Sequence, residues 1–263
     1  MLRAAHELRL FFIALQFLTR VPAPRWVGFE PDWLNQSARH FPLAGLVIGA
    51  VAALVLWAAM LLLPPAVAVG LSMAATVLLT GGFHEDGLAD TADALGGAVS
   101  RERALVIMKD SRIGSYGALA LVLVLGLKAA VLGAMLPALA VPALLLAHTA
   151  SRAAAVVLIG VLPYAGDLAH AKAKPLARRV SKAGVAVAIG WVALLSTALV
   201  ATLPARAPLV ATGLALLAVG TFWSVRWLRR RLGGYTGDAL GATQQVTELL
   251  LLLGWMAASR WLA

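Results

Sequence analysis

The chain has 263 residues, of which 61% are hydrophobic and only 13% charged, against an apolar share of about 45–50% in soluble domains; this excludes a soluble enzyme and describes an integral membrane protein. The net charge of +10 follows from basic residues gathering in loops according to how helices orient on insertion, so no nucleic-acid partner is needed to explain it. With no cysteine, disulfides, thiolate zinc sites and thiol nucleophiles are excluded as well.

Segment 1–40 comes first. Arg3 and Arg9 precede an apolar run at 10–18 that is too short to span a bilayer and is not followed by a small-residue cleavage site. It reads as an interfacial helix retained in the mature protein. About seven stretches approach the roughly 20 apolar residues that a span requires: 41–63, 66–83, 116–136, 141–162, 184–203, 209–228 and 238–262. Pro64-Pro65, Pro137, Pro142 and Pro204 mark the turns between them, since proline ends a helix. The predicted fold is all-α, a polytopic helical bundle forming a single membrane domain over 1–263. Threading the spans alternately puts every basic residue except Lys128, Arg152, Arg206 and Arg260 on one side. That side is therefore expected to be cytoplasmic, with the N-terminus and the chemistry facing it.

Segment 84–115 is the expected catalytic loop, and its residues Glu85, Asp86, Asp90, Asp93, Glu102 and Asp110 make up half of the 12 acids. In helical form Asp86, Asp90 and Asp93 share one face. Either a cation, most naturally Mg²⁺ with phosphate as co-ligand, lies among them, or they are a solvated acidic helix start. Lys109 and Arg112 follow and supply charges suited to phosphate, so the segment carries both halves of a phosphoryl-transfer site. Asp110 with Arg112 is equally readable as a structural ion pair. His84, Glu85 and Gly87 are candidate substrate contacts, Gly87 because glycine lets backbone approach a bulky anion.

Further along, His148 and Arg152 stand four residues apart in an apolar span. Arg152 requires an acidic partner or a wet cavity, while His148 is either a base or ligand or a packing histidine. Asp167, His170, Lys172 and Lys174 lie in the next loop, as candidate contacts or as solvated charges. The run Arg229-Arg230-Arg231 reads as an orientation signal, with Arg231 also a candidate contact. Asp238, Gly241, Gln245 and Glu248 then form one helical stripe, and Glu248 lies about 15 Å into its helix, where an ionisable group is functional by default. Its alternative is a protonated carboxyl hydrogen-bonded to a neighbouring helix.

Four stretches occur in one order: Leu-Gln-Phe-Leu-Thr-Arg-Val-Pro at 15–22, Gly-Gly-Phe-His-Glu-Asp-Gly-Leu-Ala-Asp-Thr-Ala-Asp at 81–93, Met-Lys-Asp-Ser-Arg-Ile-Gly at 108–114, and Arg-Leu-Gly-Gly-Tyr-Thr-Gly-Asp-Ala-Leu-Gly-Ala at 231–242. Together they resemble the cobalamin synthase family, the adenosylcobinamide-GDP ribazoletransferases. The resemblance implies a multi-pass enzyme of the bacterial cytoplasmic (inner) membrane that requires Mg²⁺. It joins α-ribazole, or its 5′-phosphate, to adenosylcobinamide-GDP and releases GMP, the last assembly of the cobalamin nucleotide loop. Its partners would be those two substrates and the lipid bilayer, with room for a homo-oligomer or for association with other cobalamin-assembly enzymes. The acidic stretch is more distantly similar to CDP-alcohol phosphotransferases, although Asp86 and Asp90 are spaced one residue wider than in that family and no Ala-Arg follows. On this analogy, Asp86, Asp90, Asp93 and Asp110 are the expected metal ligands. Lys109 and Arg112 are the expected partners of the departing GMP, Asp93 is the candidate base, with Asp90 beside it in the catalytic set, Asp238 and Glu248 either complete the site or contact the second substrate, and Gln245 is a candidate substrate contact. A lipid-type phosphotransferase and an ion-coupled transporter using Glu248, Arg152 and His148 are the alternatives.

Overall fold

The structure is a computed structural model that describes residues 2–30, 32–166 and 177–260. Asp167, His170, Lys172 and Lys174 lie outside the described residues. Among the described residues the fold is helical, with an isolated backbone bridge between Tyr164 and Tyr235 and no strand. Helix α1 (Leu2–Leu18) leads through α2 (Trp33–Ser37) into α3 (Phe41–Met60). The apolar stripe of α1, Leu10, Ala14 and Leu18 among it, is buried in the protein's own core, and Phe17 stacks on Phe41 at 5.4 Å. Glu7 ties the helix to the start of α3 through Arg39 (3.2 Å) and His40 (2.8 Å). The segment expected at the bilayer surface thus spends its apolar face on protein.

Pro64-Pro65 separates α3 from α4 (Pro65–Thr80), and α5 (Phe83–Leu95) follows after two residues. Those two are Gly81 and Gly82, both left-handed with φ of 75° and 70°, a conformation that costs glycine almost nothing. They turn the chain by 89°. The acidic stretch is therefore a helix standing across the end of α4. The remainder of the expected loop is largely helical too. Helix α6 (Arg101–Ile107) begins where Ser100 Oγ accepts from Arg103 N–H (3.3 Å), the usual N-cap device.

Helices α7 (Ser115–Gly133), α8 (Pro137–Val161), α9 (Lys182–Thr202), α10 (Ala207–Leu232) and α11 (Gly237–Ser259) complete the bundle. Pro142, expected in a turn, lies inside α8, close enough to the start that the carbonyl deprived of its donor belongs to the first turn. Five helices among the described residues are long and apolar enough to cross a membrane, or six if α4 and α5 count as one bent span. The expected count of seven included α11, which falls short because its first half is polar. That half is buried between α5, α8 and α10, so protein and not lipid solvates it.

Two apolar clusters form the core. One takes in α1, the C-terminal halves of α8 and α10, and the start of α11; the other takes in the start of α8 and the end of α11. Between them, at the level of Ser151 and Arg152 on α8 and Gln244 to Glu248 on α11, lies a buried polar layer.

Candidate active site

The bend at Gly81-Gly82 sets one face of α5 on a cleft of about 730 Å³. Glu85, Asp86 and Asp90 line it from α5, Gln16, Thr19 and Arg20 from the end of α1, and Ser111 and Ile113 from the segment before α7. Arg20, whose backbone N–H donates to Leu79 O (2.8 Å), is the cation among the lining residues, and reading the sequence did not single it out. Its signals were its place in the 15–22 motif and at the end of Gln16, Thr19 and Arg20, polar positions at helical spacing after an apolar run.

A fourth acid arrives from far along the chain. Helices α5 and α11 cross at Gly87, where a Cβ would fall 2.7 Å from Asp238 O. Gly241 faces the backbone of His84 and Gly87 in the same crossing. Gly87 thus serves helix contact, and the contact brings Asp238 against α5. Burial first, then the charges of Asp86, Asp238 and Asp93, push the Asp90 carboxyl up to about 7. The repulsive part of this shift is what a dication would relieve.

No three carboxylate or imidazole groups among the described residues converge into a ready metal cage. Mg²⁺ does not require one, because it keeps several waters and takes one or two carboxylates plus phosphate oxygens. The hard oxygen donors of Asp86, Asp90 and Asp238 beside an open cleft fit that ion.

The other expected site residues divide. Asp93 Oδ2 accepts from Gly114 N–H (2.7 Å) and its Oδ1 from Gly117 N–H (2.8 Å), which caps α7 from α5. With both oxygens so engaged, Asp93 holds the start of α7 to α5. Asp110 binds Arg112 bidentately (2.6 and 2.9 Å), and that guanidinium holds its carboxyl down at about 2. The pair is exposed and takes its structural reading, while Ser111 and Ile113 between and beside them face the cleft. Lys109 is exposed. Arg231 donates to Gly97 O (2.8 Å) and so secures the loop after α5. His84 is buried and faces inward, lining a small void with Arg152 and Gln244.

The deep stripe meets partners from three helices. Glu248, fully buried, is paired with Lys128 of α7 and lies 3.1 Å from His148 Nδ1 and 3.7 Å from an Arg152 nitrogen. Arg152 thereby finds its acid, and His148 is part of an ionic cluster. Lys128 was visible in the sequence only as a basic residue within the 116–136 span, apart from those on the basic side. The layer reaches the cleft through Gln245, whose side-chain N–H donates to Glu85 Oε1 (2.9 Å). The other oxygen of Glu85 is buried without a partner.

Comparison with known proteins agrees with the sequence motifs. The profile of the family described as cobalamin-5-phosphate synthase matches residues 10–256. The chain is 61% identical over 255 residues to an adenosylcobinamide-GDP ribazoletransferase of Leptothrix cholodnii, covering 96% of both chains. It is 46% identical to the protein of that name from Polaromonas naphthalenivorans, covering 94% of this chain and 97% of the relative. With that of Shewanella amazonensis it shares 47% identity over 94% of each. No solved structure matches it. With the match running over nearly the whole chain and including α5, the segment before α7 and α11, this protein belongs to the cobalamin-5-phosphate synthase family.

Proposed function

We propose that the chain joins α-ribazole, or its 5′-phosphate, to adenosylcobinamide-GDP with release of GMP, and that the cleft beside α5 is where the reaction occurs. The observation that carries this reading is the set of carboxylates, Asp86, Asp90 and Asp238, gathered from two helices about 150 residues apart in sequence beside a cleft that holds Arg20. Neither a lipid-type phosphotransferase nor a transporter finds support in the names of the three relatives described above, which are ribazoletransferases.

Asp86, Asp90 and Asp238 would hold Mg²⁺, which when bound neutralises pyrophosphate charge and polarises the phosphorus under attack. Arg20 stands in the same cleft and takes the charge that grows on the departing GMP. Glu85 is the base. Gln245 orients its carboxylate (2.9 Å), which accepts the proton of the attacking ribose hydroxyl. The new bond joins that oxygen to the phosphorus attached to cobinamide, the bond from this phosphorus to GMP breaks, and the proton remains on Glu85. The protein lies in the bacterial inner membrane with the cleft on its cytoplasmic side, the side to which the basic residues point.

The test is transfer by membranes carrying Asp86→Asn, Asp90→Asn, Asp238→Asn and Glu85→Gln. The three Asp variants are expected to lose at least about 100-fold in turnover and to require more Mg²⁺. Glu85→Gln is expected to lose about 10²–10⁴-fold, the usual range for a general base, with its Mg²⁺ requirement unchanged. Near-normal transfer in Asp90→Asn and Asp238→Asn would sink the assignment.

A further inference from the structure

Helices α9 and α10 both rest on α8 but make little contact with each other, and the gap between them is a groove of about 620 Å³. Its walls include Ala150 and Val161 of α8, Val192 of α9, and Leu214 and Val225 of α10. Arg229 lines its mouth, and no carboxylate lines it. The guanidinium of Arg229 makes a long hydrogen bond, to Val161 O at 3.4 Å. Near the same end, Trp223 and Trp227 stack at 5.1 Å and Arg226 lies over Phe222 at 5.6 Å. Aromatic rings beside arginines are the marks of a membrane–water interface.

Two magnitudes decide what fits. From Leu214 to Arg229 the groove runs about 22 Å along α10 at 1.5 Å per residue. That equals one leaflet, half of a roughly 30 Å hydrocarbon core plus one headgroup layer. A transmembrane helix of that length and about 11 Å diameter occupies on the order of 2,000 Å³, several times the space present, whereas a single acyl chain is thin enough to enter. We infer that this groove is a binding site for one anionic phospholipid of the leaflet on the Arg229 side, its acyl chain lying between α9 and α10 and its phosphate on Arg229. This inference does not rest on the proposed reaction.

The experiment is native mass spectrometry of the full-length protein released from detergent in the presence of phosphatidylglycerol and phosphatidylcholine with identical chains. The unaltered protein is expected to retain one lipid with about a fivefold preference for phosphatidylglycerol, the effect of one basic residue near an anionic headgroup. Arg229→Gln should still retain a lipid but without preference. Ala218→Trp fills the groove from an exposed position on α10, so the core is undisturbed, and it should retain neither. Equal retention of the two lipids by the unaltered protein, retention unchanged by Ala218→Trp, or a cross-linked second copy covering Ala218 would each overturn the inference.

Discussion

The acidic side chains of α5 sit within a few turns of one another yet have different work. Asp93 faces two backbone N–H groups, and hydrogen bonds to a charged group contribute about 1.5–3 kcal/mol each. Asp93→Ala is therefore expected to lower stability by about 3 kcal/mol and to loosen α7. A thermal unfolding series without substrate measures this, and an unchanged midpoint would refute the capping role. Asp90 behaves differently. Its carboxyl, at about 7 in the metal-free protein, is protonated at lower pH, and a cation must displace that proton to bind. Mg²⁺ affinity should accordingly be level above about pH 7 and fall by up to tenfold per pH unit below it. The sign is opposite for stability without metal: a raised folded value means the contribution of Asp90 is complete below its ordinary value of 3.8 and is lost as pH rises through about 7. Calorimetric titration of Mg²⁺ between pH 5.5 and 8.5 checks the first. In Asp90→Asn the slope should disappear.

Among the elements, the crossing of α5 with α11 decides the site. A helical glycine exchanged for alanine ordinarily gains about 1 kcal/mol from reduced backbone freedom. At Gly87 the added methyl would sit 2.7 Å from a carbonyl oxygen that cannot yield, so the helices must part. Gly87→Ala is expected to be destabilising despite its better helix propensity, and to raise the Mg²⁺ requirement by drawing Asp238 away from Asp86 and Asp90. Transfer activity as a function of Mg²⁺ concentration would detect it. The stripe of α5 was legible from spacing alone, because side chains three and four apart must share a helix face. Both Asp238 and Asp110 were open as further acids of the site, and spacing did not decide between them. The spacing of Asp110 is compatible with either role, and only the bidentate contact with Arg112 settles where its charge is used.

For the whole molecule, the absence of cysteine makes orientation directly measurable. Single cysteines at Ala98 and Ala205, both exposed and on opposite sides by the distribution of basic residues, should react differently with a membrane-impermeant maleimide. Ala205→Cys is expected to label in intact spheroplasts and Ala98→Cys only after permeabilisation; the reverse pattern would invert the proposed topology. Composition and pattern alone determined the membrane class, the helical fold, the basic side and the acidic face of α5, because apolar content, charge bias and helical periodicity are local properties that survive in a list of residues. Tertiary structure decided which charges meet. Lys128 and Glu248 are 120 residues apart, Gln245 and Glu85 are 160 apart, and Arg20 reaches the cleft only because two left-handed glycines turn α5 across the end of α4. Such pairings depend on how closely helices approach and at what angle, and no spacing within a single helix encodes either.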